Sequence, residues 1–275
     1  MSTSGSASAR SSSSEMASLG PAEIRAAIRS GRHRRGTAGL ASGYAQANLV
    51  VLPRDWAGEF REFCLRNPKP CPLLDVTAPG SPEPMRLAPG ADLRTDIPGY
   101  RVSGPRGWRE VDDLRALWRA DLVAFLLGCS YSFEDALRRE GIAIRHIDLG
   151  RTVPMYRTSV ECAPAGRLHG PMVVSMRPIP EALTGRSVAI CARYPGSHGG
   201  PIHIGDPARL GIHDLSAPDY GDAVPILPGE VPVFWGCGVT PQAVLEVSGC
   251  EWFAAHRPGH MFVSDAAETI APLEE

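Results

Sequence analysis

Gly128-Cys129-Ser130-Tyr131-Ser132-Phe133-Glu134-Asp135-Ala136-Leu137 aligns without a gap on Gly236-Cys237-Gly238-Val239-Thr240-Pro241-Gln242-Ala243-Val244-Leu245. In each copy an apolar run, Leu122–Leu127 or Val231–Trp235, ends at Gly-Cys, and a hydroxyl residue stands three positions after the cysteine. A short apolar run closed by glycine reads as a buried strand, and the hydroxyl marks the start of a helix. Ser132 and Thr240 are the expected N-caps, Pro241 suits a first helical position, and Ser132-x-x-Asp135 has the form of a capping box. A strand feeding a helix, twice, points to an α/β protein. Each helix start offers free backbone N–H groups and the positive end of a dipole, so each turn is an anion site. Facing one crevice, the two turns can grip a dicarboxylate from both ends, and a thiol at such a position is expected to ionise more readily.

Outward from these turns the grammar changes twice. Ala22–Arg29 reads as a short helix, Tyr44–Leu52 as a strand entered through the polar Tyr44, Gln46 and Asn48, and Asp55–Arg66 as a helix with Trp56, Phe60, Phe63 and Cys64 on one face. Residues 67–100 carry eight prolines and are expected to wrap the surface as ordered loop, of a length that is more often functional than incidental. Leu114–Ala120 suggests a helix, and Ser132–Glu140 is a clear one. From 151 to 228 short β-rich runs (Met172–Met176, Val188–Ala192, Pro201–Ile204) alternate with Pro/Gly punctuation, and a final strand is expected to end near Asp265. The reading is a larger three-layer α/β domain with a mixed sheet (residues 20–150 plus 229–275), interrupted by a smaller inserted α+β domain (151–228). The Ser/Ala/Gly-rich stretch 1–19 is read as a disordered tail.

Composition removes several functions. In a chain of 275 residues with net charge −2 and pI near 6.5, nothing calls for a nucleic acid or an anionic membrane as partner. Arg32-His33-Arg34-Arg35 reads as a solvated helix end. Lys69, between Pro68 and Pro70, is the only lysine, which argues against pyridoxal phosphate or Schiff-base chemistry. Seven cysteines without a C-x-x-C pair give no zinc ribbon or thioredoxin-like site, and with no signal peptide legible they fit a reducing cytoplasm. No apolar run is long enough to span a bilayer. His256 and His260 are spaced four apart, but Pro258-Gly259 between them breaks the helix a metal pair needs. No metal and no cofactor are expected.

Other candidates lie in the 151–228 stretch. His169, in Arg167-Leu168-His169-Gly170, and His203, in His203-Ile204-Gly205-Asp206, enter strands beside glycine and can reach a cleft. His203 with Asp206 can form an oriented acid–base pair, or His203 can simply bond a turn carbonyl. Arg177 can hold a carboxylate bidentately or serve as an ion-pair partner. Gly128-Cys129-Ser130-Tyr131-Ser132 misses the nucleophile-elbow pattern only at its last glycine, leaving Ser130 as a nucleophile open. The expected catalytic set is Cys129, Glu134, His169, His203, Asp206 and Cys237. Tyr44, Gln46, Asn48, Ser130, Ser132, Arg177, Gly238, Thr240 and His260 are expected to bind a small carboxylate substrate, with a homodimer left open.

Gly39-Leu40-Ala41-Ser42-Gly43-Tyr44-Ala45-Gln46-Ala47-Asn48, Asn67-Pro68-Lys69-Pro70-Cys71-Pro72, His169-Gly170-Pro171-Met172, His203-Ile204-Gly205-Asp206-Pro207 and Val231-Pro232-Val233-Phe234-Trp235-Gly236-Cys237-Gly238 resemble the hydro-lyase (D-glutamate cyclase) family from about residue 21 to about 265. The resemblance implies a two-domain α/β protein and a lyase that closes D-glutamate to 5-oxo-D-proline with loss of water. It brings no residue roles with it. The same pair of turns also suits a cofactor-independent two-cysteine racemase, if both sulfurs face one pocket, and a carboxylate-binding protein without chemistry.

Overall fold

The computed structural model describes Met16 and residues 18–274; most of the tail read from the sequence, residues 1–15 and 17, lies outside the described residues. In chain order the first elements are α1 (Pro21–Arg29), β1 (Tyr44–Pro53), α2 (Arg54–Arg66), β2 (Leu73–Val76), β3 (Tyr100–Val102), β4 (Arg109–Val111), β5 (Leu122–Gly128) and α3 (Tyr131–Arg139). There follow α4 (Arg145–Asp148), β6 (Met155–Glu161), β7 (Pro171–Pro180), α5 (Thr184–Cys191), β8 (His203–Ile204), β9 (Glu230–Gly236), α6 (Thr240–Val247), β10 (Ala254–His256) and β11 (Phe262–Ala267).

The first sheet runs β2-β5-β1-β10-β3-β4, with β11 also paired to β1; the second runs β6-β7-β9-β8. Helices and sheets mix as an α/β protein should, but among the described residues every strand pairing is antiparallel rather than mixed. β9 also joins β7 in the second sheet, so the chain returns to the first sheet at Ala254 rather than at Val231. Val188–Ala192, read as β-rich from its branched residues, lies largely within α5, because Ile190 and Cys191 fill a helical stripe against α3. Leu114–Ala120 yields only a 3-10 turn at Arg115–Leu117.

β1 is buried on both faces. Ala47, Leu49 and Val51 meet Leu74, Ala124, Leu126, Ala254 and Phe262, while Val50 and Leu52 meet Phe60, Phe63 and Phe125. Period-two alternation therefore sends both sets into apolar clusters, each large side chain contributing about 1.5–3 kcal/mol on burial. The proline-rich loop supplies part of this core through Leu87, Ala88, Leu93 and Ile97, besides the edge strand β2, so it does more than wrap the surface.

The placement of the site follows from two helices that bridge the sheets. α3 leaves the first sheet and packs on the second: Phe133 stacks on Trp235 of β9 with centroids 5.3 Å apart. α6 stays on β7, with Ala243 packed on Val173, and also reaches the first sheet, with Val244 and Leu245 in one cluster with Phe125 and Leu127 of β5. Each Gly-Cys turn is thus drawn toward the other sheet, and the two meet between them.

Candidate active site

The glycines of the two turns are set by close backbone approach. A Cβ on Gly128 would fall on the Gly196 carbonyl, and one on Gly236 would lie 2.9 Å from the Lys69 carbonyl and Pro70 nitrogen. The cysteine amides are tied down as well, Cys129 N–H to Gln46 O at 3.2 Å and Cys237 N–H to Val173 O at 3.0 Å. The helices start one or two residues earlier than the hydroxyls suggested. Ser130 and Val239 occupy the N-cap positions, without side-chain caps. Thr240 Oγ instead accepts from Val173 N–H and donates to Val173 O, fastening α6 to β7, and the buried Ser132 hydroxyl faces a small side cavity with Gln46.

Both turns line one cavity of about 280 Å³, with Cys129, Ser130 and Tyr131 from one and Cys237, Gly238 and Val239 from the other. Asn48 and Ser175 complete this end, and a Cβ on Gly238 would collide with the Asn48 amide, so that glycine lets Asn48 reach in. Burial outweighs the helix termini in setting the thiols. Desolvation pushes Cys129 up to about 12 and Cys237 up to about 11, against smaller lowering by the N–H groups of Tyr131 and Val239. The expected easy ionisation does not occur; both sulfurs hold their protons at neutral pH.

The other end is built on Arg101 of β3. Its guanidinium lies over the Trp108 ring at 4.0 Å and donates through Nη2 to the Gln242 side-chain oxygen. The Gln242 amide then faces His256 Nε2 at 3.4 Å, and His256 Nδ1–H donates to Arg257 O at 2.8 Å. Burial lowers the pKa of Arg101 and takes His256 down to about 4, so the imidazole is neutral. Arg101 takes part in none of the ion pairs among the described residues, and its Nε is buried without a partner. A partly buried cation with an unused donor, facing a cavity, is suited to a carboxylate.

His198 also lines the cavity. Its Nδ1–H donates to Lys69 O at 2.7 Å, which leaves Nε2 with the lone pair, and burial lowers its pKa to about 4. The residue sits at φ 74°, a left-handed conformation rare for a side chain with a Cβ and one that recurs at functional sites. His256 has both ring nitrogens engaged; His198 has one to offer.

The expected site residues divide accordingly. Cys129, Cys237, Ser130, Asn48 and Gly238 line the cavity, whereas Tyr44, Gln46 and Ser132 line a neighbouring one of about 20 Å³. Arg177 is fully buried behind the wall, paired with Glu134 (Nε to Oε1 2.9 Å) and donating to the hydroxyls of Ser175 and Ser130 at 2.9 Å each. Burial alone would raise the pKa of Glu134, but Arg177 and His146 hold it at about 2, so it is a fixed anion rather than a base. His203 bonds the Asp206 backbone oxygen at 2.7 Å while the Asp206 carboxylate caps Ala208, so the two form no acid–base pair. Exposed His169, Thr240 and His260, bonded to Pro258 O, stay outside the cavity lining. Among the described residues no cluster of three His, Cys, Asp or Glu side chains is arranged for a metal ion, and no helix is long and apolar enough to cross a membrane.

A mostly apolar cavity with one free guanidinium, neutral imidazoles, two thiols and two converging helix starts has the makeup of a site for a small carboxylate. The family model for D-glutamate cyclase matches residues 123–265, the stretch that runs from the first turn to the last strand. "Putative hydro-lyase YcsI" of Bacillus subtilis is 55% identical over 93% of this chain and 100% of its own. A protein of the same generic name from Rubrobacter xylanophilus is 57% identical over 91% of this chain and 97% of its own. A solved nitrogen repressor-like protein, MJ0159 from Methanococcus jannaschii, overlaps 88% of this chain and 97% of its own at TM-score 0.37 and 8% identity, too low to inform the site. The chain belongs to the D-glutamate cyclase family of hydro-lyases.

Proposed function

We propose that the protein removes water from a small amino-dicarboxylate, D-glutamate closing to 5-oxo-D-proline, in the cavity between the two Gly-Cys turns. The observation that carries this reading is the shared cavity itself: an unpaired guanidinium at one end and two converging helix starts at the other match a substrate with a carboxylate at each end.

In this scheme Arg101 takes the α-carboxylate. The γ-carboxylate lies between the turns, where free backbone N–H groups stabilise the oxyanion as the amine nitrogen adds to the γ-carbon. His198 Nε2 takes the proton that the amine loses as the C–N bond forms. The C–O bond then breaks as the departing oxygen takes two protons and leaves as water. One is returned by the His198 imidazolium; the other comes from a protonated thiol of Cys129 or Cys237 or the Tyr131 hydroxyl, which regains it from the substrate's ammonium. Folding the substrate so that amine and γ-carbon meet is itself a large part of the acceleration, and the cavity offers that restraint. The test is chromatographic: 5-oxoproline forming from the D-isomer and not the L-isomer, and D-glutamate forming from 5-oxo-D-proline, support the reading; inertness toward all three excludes glutamate as substrate.

A second reading, a two-thiol racemase, is favoured by one observation, that both sulfurs line the same cavity. It ranks second because burial keeps both thiols protonated, and racemisation needs one as a thiolate.

A further inference from the structure

We propose that Lys69, the sole lysine of the chain, is a positioning residue that holds His198 in its Nδ1–H tautomer with Nε2 left open to the cavity. This deepens the reading of His198 as the base and rests on it. The segment Asn67-Pro68-Lys69-Pro70 leaves α2 as a tight turn, closed by Cys71 N–H on Asn67 O at 3.0 Å. The prolines on either side fix their own φ, and the closed turn sets the direction of the Lys69 carbonyl. That carbonyl accepts from His198 Nδ1 at 2.7 Å. The Lys69 side chain reaches forward, and Nζ donates to Gly200 O at 2.7 Å. One residue therefore clasps the 198–200 segment at both ends, by main chain to ring and by side chain to main chain.

The clasp answers a local need. His198 at φ 74° and Gly199 at φ 64° are both left-handed, and a left-handed non-glycine residue persists only where its surroundings over-determine it. On the N-terminal side, Ser197 and Gly199 N–H both donate to Tyr194 O, at 2.9 and 3.0 Å. On the C-terminal side the next backbone tie is Ile202 N–H to Phe234 O at 2.8 Å, so Gly200 is held by the ammonium. Of 28 basic residues, all but Lys69 are arginine. The exception stands where one compact ammonium meets a single carbonyl oxygen, a contact that needs no planar fork. The same turn also abuts the second catalytic turn, since a Cβ on Gly236 would meet the Lys69 carbonyl at 2.9 Å. It thus registers the imidazole against Cys237.

The charged and titratable groups acting on His198 are Arg177 of β7, Lys69 of the turn and Glu134 of α3. The two cations favour the neutral ring and the carboxylate opposes them. Replacing Lys69 by methionine removes one cation and frees Gly200, and both changes raise the affinity of the imidazole for a proton. The experiment uses full-length protein with 13C-labelled histidine, the His198 signal being assigned by its loss in His198→Asn. Burial is the largest cause of the lowered His198 value and persists in Lys69→Met, so the His198 titration is expected to move upward part of the way toward the ordinary histidine range. The acid limb of kcat/KM for 5-oxoproline formation should move with it, with a fall on the order of tenfold in its plateau. Lys69→Arg, which keeps the charge, should lie between methionine and the wild type. An unmoved His198 titration in a folded Lys69→Met protein would overturn the proposal. Full activity in His198→Asn would instead overturn the base role on which it rests; the two failures are distinct because the Lys69→Met titration is read without substrate.

Discussion

Replacing Arg101 by methionine isolates the proposed carboxylate contact. The guanidinium lines the cavity with Trp108 behind its plane at 4.0 Å, Gln242 on Nη2 and Nε buried, which leaves Nη1 for a bound carboxylate. A hydrogen bond to a charged group contributes about 1.5–3 kcal/mol, so losing that contact costs roughly 10–10² in kcat/KM. If the α-carboxylate is held equally in ground and transition states, the loss falls on KM and leaves kcat within a few-fold. Methionine keeps an apolar stem against Trp108 and removes a partly buried cation with no carboxylate partner, so thermal stability should hold or rise slightly. That combination separates the proposed role from an ordinary structural arginine, whose loss lowers both. Arg101→Lys should not restore activity, because an ammonium does not stack on the indole as the planar guanidinium does. Steady-state kinetics on D-glutamate, calorimetric binding of 5-oxo-D-proline and a melting curve make the assay. An unchanged KM with unchanged product affinity would refute the assignment of Arg101.

Three further outcomes follow from the same geometry. His198 and His256 have pKa values lowered to about 4 in the folded chain against about 6.5 unfolded, so the unfolded chain binds more protons; stability should fall as pH drops from about 6.5 through 4, by up to about 3 kcal/mol per histidine, and urea titrations of His256→Asn should show a shallower slope. Glu134, held at about 2, loses its stabilising charge only below about pH 4.5 and so does not contribute to the upper part of that window. Glu134→Gln strands the fully buried Arg177 and should cost about 3–5 kcal/mol, read as a large drop in melting temperature that Glu134→Gln with Arg177→Met partly recovers. Gly128→Ala drives a Cβ into the Gly196 carbonyl and should destabilise by at least about 3 kcal/mol, whereas alanine at Gly58, with nothing within 4 Å, should be neutral or stabilising in the same melt.

The sequence carried the turns and withheld their surroundings for identifiable reasons. Two Gly-Cys strand ends were legible because glycine, buried apolar runs and helix starts are local signals, and both turns do line one cavity. The sheet they belong to was not, since pairing between β5 and β1, or β9 and β7, leaves no trace in either strand's own pattern. Glu134 and Arg177 read as possible site residues, yet they lie 43 positions apart and neutralise each other behind the wall. Arg101 escaped notice because β3 has only three residues, follows the proline-rich loop and carries no motif; burial without a carboxylate partner is a property of the fold alone. His198 stands in the glycine-rich stretch His198-Gly199-Gly200, which carries no motif of its own; its left-handed φ and its bond to Lys69 O, across 129 positions, are what distinguish it from His203. The thiols went the other way: the helix start was visible in the sequence and the desolvation that outweighs it was not.

The central claim is that this cavity dehydrates an amino-dicarboxylate rather than exchanging its Cα proton. Proton NMR of the purified protein with D-glutamate in deuterium oxide reads both events in one tube. The account expects 5-oxoproline ring signals to grow with the Cα proton retained, and L-glutamate to stay unchanged. Loss of the Cα proton without ring closure would contradict it and move the two thiols from proton donors to the seat of the chemistry.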